Sequence, residues 1–104
     1  MRKLITGVAA AAAVLLGAAA PASADVPSTG LTFWSGAFTG TTTTYATPGP
    51  DCVDLPFVVH SELNLTPRTI TVYQGKGCTG FALSFPTNDF HSFIGFDGVS
   101  FRVA

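Results

Sequence analysis

Charge is scarce in this chain: only 11% of its 104 residues are Asp, Glu, Lys or Arg, and no run of like charge occurs. Without a basic cluster there is no electrostatic footprint for nucleic acid or for an anionic membrane surface. Histidine occurs only at His60 and His91. No HExxH is present, and neither imidazole has a second His or Cys at zinc-binding spacing, which excludes the common zinc sites. No serine lies in a nucleophile-elbow context, and a small β domain has little room for a shielded cleft. The residues therefore point to a protein that is not an enzyme and carries no cofactor. Helical periodicity is missing as well. Nowhere after residue 24 do apolar residues recur at helical spacing over three turns.

What is present begins with a leader. Arg2 and Lys3 precede an uncharged apolar run from Ile5 to Ala19, and Ala22-Ser23-Ala24 supplies small residues for cleavage. That is the three-part pattern of a secretory signal. The apolar run falls short of the ~20 residues that span a bilayer. The expected mature chain is residues 25–104, secreted and extracellular, with no membrane association after cleavage. Three basic residues (Arg68, Lys76, Arg102) then face six acidic ones. Asp25 to Thr29 reads as a flexible tail, and residues 30–104 as one domain.

A domain of this size buries only about 60% of its unfolded surface and generally needs a staple. Cys52 and Cys78 are the only cysteines. Export to an oxidising compartment favours a bridge between them; two free thiols or an intermolecular bridge are the alternatives.

Alternation of period two marks strands from Leu31 to Thr39, interrupted at Ser35-Gly36, and across Val58 to Leu63. Thr41–Tyr45 and Thr69–Tyr73 are rich in β-branched and aromatic residues. Phe81–Phe85 and Val99–Val103 complete the expected strands. Ala46–Asp51, with two prolines and a glycine, must be a loop, and Pro86–Gly98 reads as irregular. The fold class is all-β.

The chain also repeats itself. Leu31–Gly40 reads LTFWSGAFTG and Ile70–Gly80 reads ITVYQGKGCTG, matching if the first has lost one residue in its turn. Each segment is followed by a short strand, an irregular loop and a strand carrying a serine, Ser61 or Ser100. Two units of about 40 residues result, near 30–64 and 69–103.

That unit resembles the βγ-crystallin Greek-key motif: an aromatic, six residues and a glycine in a folded hairpin, then a serine on the last strand. Tyr73, Gly80 and Ser100 match it without gaps; Phe33, Gly40 and Ser61 match the spacing with the aromatic moved one place. The resemblance implies two packed antiparallel sheets in a double Greek key, and a monomer. It extends to small secreted bacterial members of that superfamily, among them a metalloproteinase-inhibitor family and killer-toxin-like proteins. Many microbial members bind calcium through two adjacent Asn/Asp, two variable residues and then Ser/Thr-Ser. Here only Asp97 and Ser100 match in the second unit, and the first retains little beyond Ser61. The resemblance thus implies weak calcium binding at most, with Asp97 read as a turn acid and Ser100 as a serine bonding to backbone. His60 is expected on the exposed strand face, and His91 in a packing or contact surface. The Pro48–Pro56 stretch, with three prolines beside Cys52, suggests a rigid loop. By the same resemblance, it would present the Cys52–Val53 bond to a secreted protease. The alternative is an extracellular structural, stress or toxin-like domain with vestigial calcium binding.

Overall fold

The computed structural model describes residues 27–104. The leader and the first two residues of the tail lie outside the described residues. Eight strands and no helix occur in the described part, and they form two packed antiparallel sheets. In chain order these are β1 (Gly30–Trp34), β2 (Thr42–Tyr45), β3 (Val53–Val59), β4 (Ser61–Leu65), β5 (Ile70–Gly75), β6 (Thr79–Phe85), β7 (Asp89–Ser92) and β8 (Gly98–Val103).

The sheet orders are β2-β1-β4-β7 and β3-β8-β5-β6. Each repeat therefore keeps three of its strands together and sends its third strand to the other's sheet. Neither repeat can close its own sheet, so the two units fold as one body. Phe33 and Phe101, one from each sheet, meet at 5.2 Å between ring centroids. Around them lie Leu31, Val59, Ile70, Val72, Phe85, Phe93 and Val103, all buried.

Three stretches differ from the sequence reading. Alternation from Val58 to Leu63 suggests one strand, but the chain breaks at His60, where it crosses from the second sheet into the first. The stretch read as the second half of a rigid loop is strand from Val53 onward. Pro56 is tolerated because β3 is an edge strand, where a missing N–H need cost no ladder bond. In the segment read as irregular, Asp89–Ser92 pairs with β4. Four residues with a polar majority give too little pattern to be legible.

Asn64 is fully buried. Its amide donates to the carbonyls of Arg68, Phe85 and Pro86, while its oxygen accepts from Thr66 N and Oγ1. A buried amide satisfied this way fixes the Thr66–Arg68 turn against the β6–β7 connection. It is also inaccessible to the glycosylation that Asn64-Leu65-Thr66 formally allows.

Candidate functional site

Each repeat builds a folded hairpin whose turn is locked by a serine from its own last strand. In the first, Ser61 Oγ donates to Gly36 O (2.7 Å) and accepts from Phe38 N (2.9 Å). In the second, Ser100 Oγ donates to Gly75 O (2.5 Å) and accepts from Cys78 N (2.9 Å). Phe38 and Cys78 both sit at positive φ (59° and 58°), as do Gly40 and Gly80 (89° and 82°). Gly40 and Gly80 thus occupy the left-handed region where a Cβ is penalised.

Register aligns the units further. Trp34 lies opposite Ser61, and Tyr73 opposite Ser100. Trp34 is accordingly the positional equivalent of Tyr73, and Phe33, one place earlier, faces the core with no exposure. The Trp34 ring meets Phe38 edge-on at 5.5 Å, and Phe90 from β7 closes over Phe38 at 4.1 Å. These rings cover the outer face of the central strand β1.

The disulfide is Cys52–Cys78, with Cα atoms 5.9 Å apart. It joins the start of β3 to the turn of the second hairpin. Asp54 Oδ1 accepts from Gly77 N at 2.8 Å and ties the same turn a second time. The segment before Cys52 stays outside: Ala46, Thr47, Gly49, Pro50 and Asp51 are exposed. Val53 is different. It pairs with Phe101 and packs against the core, so its side chain is not presented to solvent in the way a reactive inhibitory residue requires. Beside the loop runs a cleft of about 330 Å³, walled by Ala46, Pro48, Leu65, Pro67 and Arg68.

The calcium candidates have other partners. Ser100 Oγ is occupied by the hairpin, and Asp97 Oδ1 lies 2.7 Å from His60 Nε2. His60 is not an exposed strand residue but a half-buried link between the units. Its Nδ1 reaches Ser35 O at 2.7 Å. A carbonyl and a carboxylate can only accept, so both ring nitrogens carry hydrogen and the imidazolium form is favoured. The bond to Asp97 raises the His60 pKa most, followed by the bond to Ser35 O. Among the described residues, no group of three His, Cys, Asp or Glu side chains is placed to hold a metal ion.

Glu62 is the residue that sequence reasoning missed. It follows Ser61 as Phe101 follows Ser100, and it lies opposite Phe33, pointing into the core with 0% exposure. Its carboxyl group lies buried beside that of Asp89, whose Oδ2 is 3.3 Å from His91 Nδ1. Burial first, and then the neighbouring Asp89 carboxyl, push the Glu62 pKa up to about 10. Glu62 is thus a neutral acid at pH 7. The only signal for it in the sequence was the repeat alignment, which sets a glutamate where the other unit has phenylalanine.

No known protein family, curated protein or solved structure matches the chain.

Proposed function

We propose that the chain is a secreted, non-enzymatic domain of the βγ-crystallin type, a double Greek key that acts by binding and inhibiting a protease. The family reading is supported by the exchanged third strands and by the paired serine latches. Secretion is supported by the leader pattern and by a disulfide, which persists in oxidising compartments. A binding role accords with both imidazoles lying beside carboxylates rather than beside a nucleophile.

One observation carries the inhibitory reading: the exposed Ala46–Asp51 segment is held at both ends, by β2 before it and by the Cys52–Cys78 bridge after it. A loop already ordered avoids roughly 0.5–1.5 kcal/mol of cost per immobilised side chain when it enters a cleft. With Val53 turned inward, the contact residues move to Gly49, Pro50 and Asp51. Metalloproteinases come first among targets because the resembling inhibitor family implies that class.

Titration of the purified protein against secreted thermolysin-like and serine proteases tests this. Inhibition of one of them, weakened by Asp51→Lys and by reduction of the bridge, is the expected result. Failure to inhibit any of them at micromolar concentration removes the reading.

A further inference from the structure

Strand β7 brings a second carboxyl against the buried Glu62. Its four residues, Asp89–Ser92, form the outermost strand of the first sheet and pair with β4 alone. Asp89 lies opposite Asn64 and His91 opposite Glu62, so all four share the inner face. Glu62 has no exposure, and the Asp89 side chain keeps only 20%. A protonated carboxyl can donate to a carboxylate, so the two groups sit together while Glu62 keeps its proton. Two carboxylates side by side and out of water cannot both stay ionised.

The other neighbours offer little counter-charge. On the β1 side Glu62 faces Phe33, and Tyr45 of β2 lies beyond β1. The second sheet and the segment after β7 bring Phe85, Phe93 and Phe101 to this interior. His60, two residues before Glu62, is turned to Ser35 O and Asp97. His91 is 61% exposed, with Nδ1 3.3 Å from Asp89 Oδ2. Its backbone N–H favours an ionised Glu62, a smaller effect than burial and Asp89.

The chain on either side of β7 is fastened separately. Asn88 N donates to Asn64 O, Thr87 Oγ1 to Thr66 O, and the Asn64 amide to Pro86 O. Beyond the strand, Phe93 is buried, stacks on Phe85 and donates its amide to His60 O. Between those anchors the cover is thin, since Phe90 is itself 58% exposed.

We propose that β7 is a strand latched by a proton: loss of the Glu62 proton detaches Asp89–Ser92 from β4 while Asn88 and Phe93 stay in place. One movement relieves both costs. It makes β4 the sheet edge, so that water reaches Glu62, and it carries Asp89 away. Phe90 leaves with the strand and uncovers the Phe38 and Trp34 rings on the outer face. The closed form holds a proton that the open form releases, so rising pH favours opening.

Amide hydrogen exchange of the purified protein from pH 6 to 9 tests this, each rate being corrected for the intrinsic pH dependence of exchange. The opening constant for the amides joining β4 and β7 should rise about tenfold per pH unit. Low urea concentrations should barely change it, because a small opening exposes little surface. Amides of β5 and β8, which open on global unfolding, should respond strongly to the same urea. Glu62→Gln should flatten the pH dependence at β7, and His91→Gln should keep it. A β7 opening constant that does not change with pH overturns the inference, as does β7 exchange with the urea response of β5 and β8. Those two outcomes are read on the wild-type chain and need no variant. A pH dependence that survives Glu62→Gln, or is lost in His91→Gln, overturns it as well.

Discussion

Ser61 and Ser100 make the same pair of hydrogen bonds in two different hairpins, each accepting from the amide of a residue at positive φ and donating to a carbonyl across the turn. Two residues in 39 positions' register do one job because the fold is one unit used twice. The serine hydroxyl is small enough to sit inside the folded hairpin and can both donate and accept. In the first turn it adds to the bond that Phe38 N already makes to Gly36 O at 3.0 Å.

Removing either hydroxyl should therefore be costly. Ser61→Ala and Ser100→Ala each remove two hydrogen bonds from a turn, at about 1–3 kcal/mol. Chemical denaturation should show a lower midpoint for both. Each turn keeps other ties, the bond from Phe38 N to Gly36 O (3.0 Å) in the first and Asp54 with the Cys52–Cys78 bridge in the second, so the two losses should be of similar size.

Reduction of Cys52–Cys78 frees the 26-residue separation between the cysteines. The chain-entropy cost is about 3.5 kcal/mol, which corresponds to a fall in melting temperature on the order of 15–25 °C for a domain this small. Thermal melts with and without reductant measure it. The second hairpin turn should lose amide protection before the first.

The His60–Asp97 pair should matter most in acid. The folded-state pKa of His60 is raised, so its contribution is fully present below the unfolded value near 6.5 and is lost as pH rises through the folded value. Comparison of wild type with His60→Gln should show a stability gap at pH 6 that narrows steadily on the alkaline side. Asp97 is largely exposed, so the gap should also shrink in high salt.

Glu62 gives a second pH dependence with the same sign and a wider span. The folded state holds a proton on Glu62 that the unfolded chain releases above about pH 4.5. Between there and about pH 10, unfolding free energy should decline by on the order of 1 kcal/mol per pH unit from this group. Glu62→Gln, neutral throughout, should remove that slope and be the more stable protein at pH 8 and above. Urea midpoints taken from pH 5 to 9 decide it.

Gly98 opens β8 between its two neighbours in the sheet, β3 and β5. A Cβ there would meet Val59 Cγ2 at 2.7 Å and Val72 Cγ1 at 2.9 Å. Gly98→Ala should cost roughly 1–3 kcal/mol through overpacking. Adding Val59→Ala should recover part of that loss, since it removes the nearer methyl.

Period-two alternation, turn chemistry and the internal repeat were enough to establish an all-β chain, the Ala46–Asp51 loop and the equivalence of Ser61 with Ser100. Those features are local: they follow from backbone propensity, and from glycines and residues such as Phe38 and Cys78 placed where positive φ is required. Cys52 and Cys78 were paired correctly because no other cysteine competes. Which sheet each strand joins was decided only by tertiary structure. The break at His60 reverses the side-chain parity that alternation implies, so Glu62, polar and apparently outward, turns into the core beside Phe33. The same crossing carries His60 to Asp97, 37 residues away, a contact no local pattern encodes. Strand β3 tolerates Pro56 only because it is an edge, and β6 has an open side only because it is the last strand of its sheet. Both facts depend on strand order, which is set by contacts between residues far apart in the chain.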